Sequence, residues 1–216
     1  MPSKYVVRDF AENNVYHVFN RGVEKRTIFL DEQDYRIFLY YLFIYLAPLE
    51  KVLTRYPILP LRLHSKNLAK EIDFFCYCLM PNHFHFLIRQ ITKNGISKLI
   101  KQLTNAYTLY FNQKYKRVGG LLQGRFKAVG VKTDNLLLHV SRYIHLNPVV
   151  GELVTNPEEY PWSSYPAYIN NLKETICNRE LILSFFSSSK DYEKFVQDQV
   201  DYANNLALLK DFTLDG

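Results

Sequence analysis

Two histidines stand one residue apart, His83 and His85, inside the stretch CLMPNHFHFLI. On a strand side chains alternate, so both imidazoles leave one face while Phe84 and Phe86 leave the other. Imidazoles at i and i+2 can converge on one metal ion. Burying the pair without partners costs polar desolvation, so a chain that keeps them has a use for them. The spacing alone is a weak signal, because His-x-His pairs also occur in ordinary cores. Further along, Tyr143 and Asn147 lie four apart and share a face if their segment is helical. A phenol is a poor nucleophile while protonated, with a reference pKa near ~10. Attack on a phosphodiester therefore wants a cation that polarises the phosphorus and favours the phenolate. Two histidines leave room for an oxygen donor, and Asn147 is the candidate third ligand for Mg²⁺ or Mn²⁺. His17 is open to three readings: a core histidine, a DNA contact, or a replacement ligand. His139, one turn before Tyr143, is either packing or a proton acceptor. His145 points off that face and receives no role.

These groups need elements to position them. Tyr16 to Asn20 alternates as a first strand, ending at Asn20-Arg21-Gly22. Asp31 and Asp34 announce a helix through RIFLYYLFIYLA, which Pro48 closes. Residues 49–70 have no clear period and contain Pro57 and Pro60, so an irregular insertion is expected. Ile72–Leu79 and His83–Arg89 form a hairpin about Met80-Pro81-Asn82. The apolar spacing Ile96, Leu99, Ile100, Leu103, Tyr107 predicts an amphipathic helix over 96–116. Arg125–Val131 is a fourth strand. Thr133-Asp134-Asn135 then caps a helix expected to stop near Leu146, since Pro148 disfavours helix at the residue before it. The order β-α-β-β-α-β predicts an α+β fold, the split βαβ or ferredoxin-like antiparallel sheet with helices on one face and an additional helix after it. PEEYPWSSYPAY, 157–168, reads as a connector, and the pattern beyond Asn178 is helical. The expected division is a catalytic domain over 1–170 and an acidic helical C-terminal extension over 171–216.

From Arg89 to Lys132 there are ten basic residues and no acidic one, within a chain whose net charge is +6. That leaves the remainder net acidic. A basic block beside apolar periodicity predicts a polyanion-binding face, because each neutralised phosphate releases condensed counterions; a solvated helix face is the plainer alternative. Lys98, Lys101, Lys132, Arg125 and Lys127 belong to the block, and Arg21 and Lys25 follow the first strand. The three cysteines, Cys76, Cys78 and Cys177, lack zinc-ribbon spacing and suit neither a disulfide framework nor a structural zinc site. The apolar run Ile37–Leu49 spans 13 residues, short of the ~20 that cross a bilayer. MPSKYVVRDFAEN has no apolar region of signal-peptide length. The expectation is a cytoplasmic protein without a membrane partner.

The stretches YHVFNRG, CLMPNHFHFLI, QGRF and SRYIHLNPVVGELV, in this order, resemble the single-tyrosine HUH transposases, in particular the REP-associated group and its insertion-sequence relatives. The resemblance covers Tyr16 to Tyr168, and PNHFHFLI with YIHLNPV makes a specific pair. It implies that His83 and His85 bind a divalent metal, that Tyr143 attacks the DNA backbone, and that Asn147 helps to hold the metal. It implies a ferredoxin-like sheet and transesterification of single-stranded DNA, with hairpin-forming repeats as partner. Tyr143 would form a 5′-phosphotyrosyl link and release a 3′-OH, and Arg125, Lys127 and Arg21 would grip phosphates near the scissile bond. Insertion-sequence members are dimers that exchange the tyrosine helix, whereas REP-associated ones resemble monomers, so monomer and homodimer both stay open. Two rival readings remain: a domesticated nucleic-acid-binding regulator that has lost cutting, and a phosphodiesterase in which water attacks.

Overall fold

The computed structural model describes residues 9–170 and 176–199. The leader reading over 1–8 and those parts of the extension at 171–175 and 200–216 lie outside the described residues. The strands are β1 (Val15–Arg21), β2 (Ile72–Met80), β3 (His83–Gln90) and β4 (Lys127–Val131). The helices are α1 (Glu32–Leu46), α2 (Leu49–Arg55), α3 (Leu61–His64), α4 (Gly95–Lys114), α5 (Asp134–Val150), α6 (Tyr165–Ile169), α7 (Glu180–Leu183) and α8 (Ser189–Gln197). The sheet is antiparallel throughout, in the order β2-β3-β1-β4. A ferredoxin-like unit takes that order because each β-α-β crossover skips one strand, into whose place a later strand fits. None of the described helices is long and apolar enough to cross a membrane.

Alternation divides the core in two. Val18, Phe84, Phe86 and Ile88 face α1 and α4, while Phe19, Leu87, Val129 and Val131 face α5. A register shift between Phe74 and Cys76 lets β2 serve both sides. Cys76 and Cys78 are buried thiols on the α5 side, as small hydrophobes would be. The two helices of the β-α-β-β-α-β unit thus lie on one face. The additional helix α5 lies on the other, with Tyr168, Ile182, Tyr192 and Val196 from α6, α7 and α8 packed in the same core. The C-terminal helices are therefore part of a layer, not an appendage.

The elements start where the residues dictate. Asp31 caps α1 by accepting from the Asp34 N–H at 3.1 Å, and the Asp34 carboxylate accepts from Leu30 N–H at 2.8 Å and reaches back to Asp31 N–H, a capping box. Thr133 caps α5 by accepting from Leu136 N–H at 3.2 Å, an interaction of about 1 kcal/mol. Burial of Leu137, Val140 and Ile144 then fixes the face that α5 turns to the sheet, at ~1.5–3 kcal/mol for each side chain.

Three expectations change. Residues 49–70 are not irregular: they hold α2 and α3, whose N-caps are Pro48 and Pro60. A proline at a helix start gives up no hydrogen bond, so these prolines punctuate the helices without breaking them. Asn67 ties the segment to the end of α1 by donating to Ile44 O at 2.8 Å and Ala47 O at 2.9 Å, and Val52, Leu59 and Leu68 enter the core. Next, α5 runs through Pro148 to Val150. Near a C-terminus the missing N–H deprives only one carbonyl, and Gly151 N–H still returns to Asn147 O at 2.8 Å. Finally, β4 begins at Lys127, so Arg125 sits in the loop before it.

Candidate active site

His83 and His85 do share the α5 face of β3. The antiparallel register sets His83 opposite Arg21 on β1 and Met80 on β2, and His85 opposite Phe19 and Cys78. His17 stands opposite Leu87, diagonal to His85 on the same face. There its Nε2 lies 2.9 Å from His85 Nδ1, and the two rings stack at 5.0 Å. His17 is wholly buried and His85 almost so. Burial pushes His17 down to about 3, and burial with His83 and His17 alongside holds His85 well below the usual imidazole range. Both rings are neutral at neutral pH.

A hydrogen bond selects the tautomer at His83. His83 Nδ1 is 2.5 Å from Asn82 Oδ1, and an amide oxygen only accepts, so Nδ1 carries the proton and Nε2 the lone pair. At His85 the contact with His17 Nε2 is open to either direction, and the tautomer in which His85 Nδ1–H donates to His17 is the one that frees Nε2 for a metal. His85 Nε2 is buried and without a hydrogen-bond partner, an arrangement whose polar cost a ligand would offset. Orienting a metal-binding imidazole through its other nitrogen is the usual second contribution of a protein to such a site. The donor set therefore fits a divalent cation. Among the described residues no group of three or more His, Cys, Asp or Glu is placed to hold a metal, so oxygen donors must come from elsewhere: Asn147, water or substrate.

Helix α5 lays Tyr143 across this pair. Its ring meets His85 edge-on at 5.5 Å and His17 at 5.8 Å, and it retains 9% exposure. Asn147 is buried one turn on, its Nδ2–H donating to Tyr143 O at 2.9 Å, which commits the nitrogen end of the amide to the helix. The remaining α5 histidines face outward from the sheet. His139 Nδ1 accepts from Arg142 at 2.6 Å, and Arg142 also donates to Phe195 O at 3.2 Å on α8. His145, buried, bridges Tyr192 Oη at 2.7 Å and Ser164 Oγ at 2.8 Å.

The basic residues separate into groups. Arg21 adjoins His83, donating from Nε to Gln123 Oε1 at 2.8 Å. Lys127 is exposed in the same cross-strand row as Phe19 and His85. A cleft lined by Asn20, Arg21, Gln123, Arg125 and Lys127 joins them. Lys101 lies on the other side of the sheet, on α4. Lys98 is engaged by Glu71 at 2.7 Å, and Lys132 stands past the far end of β4 from Lys127.

Residues 59–147 match the family described as "Transposase IS200 like". That match spans less than half of the chain. The matched segment contains His83, His85, Tyr143 and Asn147. The fold of this chain is similar to the solved structure described as "Structure of the REP associates tyrosine transposase bound to a REP hairpin", with 15% identity, a TM-score of 0.51, and 79% of this chain and 87% of that one covered. At that identity the likeness is one of fold. None of the curated proteins matches the chain. Sequence reasoning left the role of His17 open and gave His145 none. Strand alternation put His17 on a face, but only the β1–β3 register puts it against His85. Nothing local marks the partners of His145, which lie 19 and 47 residues away.

Proposed function

We propose that this protein cuts and rejoins single-stranded DNA through Tyr143. The observation that carries the reading is the edge-on packing of the Tyr143 ring against His85 and His17, which brings a nucleophile from α5 against neutral imidazoles from β3 and β1. The phenol oxygen of Tyr143 attacks phosphorus, the P–O3′ bond breaks, and the leaving 3′ oxygen takes up a proton. The 5′-phosphate stays on Tyr143, and rejoining is the reverse attack. No nucleotide hydrolysis is needed, because the covalent link keeps the energy of the cut bond. His83 and His85 would hold Mg²⁺ or Mn²⁺ through their Nε2 atoms, with Asn147 as oxygen donor, and the ion would supply charge to the phosphorus under attack. Arg21 and Lys127, flanking the imidazoles, hold the backbone on either side. The solved structure of similar fold is described as bound to a REP hairpin, so the substrate assigned is a hairpin-forming single strand.

The test is a denaturing gel of labelled hairpin DNA incubated with protein and Mn²⁺. A protein-linked band from the wild type, absent from Y143F and from EDTA-treated protein, is the expected result. Cut DNA without attached protein means that water is the nucleophile. Binding with neither cut nor link means a DNA-binding protein that does not cleave.

A further inference from the structure

Across the sheet from the imidazole pair lies a cleft of about 310 Å³ between α4 and the loop that precedes β4. That is the low end of the ~300–1,000 Å³ typical of small-ligand pockets, suited to one nucleotide and too narrow for a duplex. Its walls come from Lys101, Thr104 and Asn105 on one face of α4 and from Asn20, Arg125 and Phe126 opposite. Gly124, also in the wall, has a φ of +60°, and a Cβ added there would meet nothing within 4 Å, so the turn leaves the mouth open.

We infer that this cleft holds one unpaired nucleotide of the same DNA strand that the Tyr143 site processes, and that Asn105 reads its base. The inference rests on the single-stranded DNA reading above. Three features carry it. Asn20 and Arg125 line both this cleft and the one that contains Arg21 and Lys127, so a strand beside the imidazoles leads directly into it. No acidic residue lines either cleft, while Lys101 and Arg125 stand at the rim where phosphates pass. Asn105 offers an amide, and the Thr104 hydroxyl, which donates to Ile100 O at 2.7 Å, keeps its acceptor lone pairs. Phe126, stacked on Phe10 at 5.8 Å, supplies a fixed aromatic surface. Cations for the backbone, an amide and a hydroxyl for the base edge, and a ring to stack on, all lining one cleft, make a base-reading subsite.

The probe is a pool of 12-nucleotide single strands randomised at six positions, added to the full chain in EDTA so that no cutting occurs. Bound strands are sequenced and affinities read by fluorescence anisotropy. Wild type is expected to enrich one base at one position. N105L, an exposed substitution, erases that preference and weakens binding of the enriched sequence about tenfold. K101E weakens all sequences alike. As a measurement independent of any variant, 5-bromodeoxyuridine placed at the preferred position photocrosslinks to the peptide containing Phe126. Equal enrichment by N105L and wild type, or crosslinks confined to β3 and α5, overturns the subsite. If N105L erases the preference but wild type gives no protein-linked DNA with Mn²⁺, the cutting reading fails and the subsite stands; the converse leaves the cutting reading intact.

Discussion

His17 is the most informative residue to perturb, because it meets the proposed metal-binding pair through a nitrogen 2.9 Å from His85 Nδ1. Replacement by Leu keeps the apolar bulk under α5 but removes the nitrogen 2.9 Å from His85 Nδ1. A buried N–H left without a partner costs about 1–3 kcal/mol, and losing the group that orients a metal-binding imidazole typically costs 10–100-fold in affinity. H17L should therefore bind Mn²⁺ roughly 10–100-fold more weakly, measured by titration calorimetry, and form less protein-linked DNA at limiting Mn²⁺. High Mn²⁺ should restore the link, since Tyr143 and both imidazoles remain. H17Q can offer an amide oxygen near where Nε2 stood and should recover most of the affinity. The reasoning is refuted by H17L with wild-type Mn²⁺ affinity, or by H17Q falling as far as H17L, which would make the site sensitive to packing alone.

The fold permits further tests. His145 is held neutral by burial at about 3 against 6.5 unfolded, so its contribution to stability is complete above the unfolded value and is lost as pH falls toward 3. H145N should flatten the acid side of a denaturant-stability profile by about 1.4 kcal/mol per pH unit below ~6.5; an unchanged slope would show that the ring titrates in the folded protein. Asp34 is fully buried, accepting from Lys114 at 2.9 Å and from the Tyr110 and Tyr115 hydroxyls. D34A leaves Lys114 paired with Asp31 at 2.7 Å but strips the Tyr110 and Tyr115 hydroxyls and the Leu30 N–H of their buried acceptor, and should cost about 1–3 kcal/mol in urea unfolding. Gly22 adjoins the His83 end of the sheet, and a Cβ there would overlap the Arg26 carbonyl oxygen. G22A should lower the thermal midpoint by several degrees, about 1–3 kcal/mol, whereas G120A, with only one atom near 4 Å, should leave it unchanged.

That the two histidines share a strand face, that Tyr143 and Asn147 lie one turn apart on a helix, and the order of the elements were legible because each depends on local rules: alternation on a strand, four-residue spacing on a helix, caps at the ends. Asp31, Asp34 and Thr133 mark their helices in one dimension. What stayed hidden depends on pairing across distance. The partnership of His17 with His85 needs the β1–β3 register, and the bridging role of His145 needs helices that arrive much later in the chain. Residues 49–70 misled because prolines read as breakers when here they stand just ahead of helices. Pro148 misled in the same direction, because its penalty is small so near a helix end.

The outer side of α5 has a consequence of its own. Arg142 is clasped by Phe195, with the guanidinium 4.2 Å from the ring centroid, and Tyr192 Oη joins His145 to Ser141 Oγ at 3.2 Å. A helix riveted to its neighbours in this way is not a detachable part. Were two copies to trade their tyrosines, the trade would have to carry α6 and α8 across with α5, or rupture a buried polar network on both sides to do so.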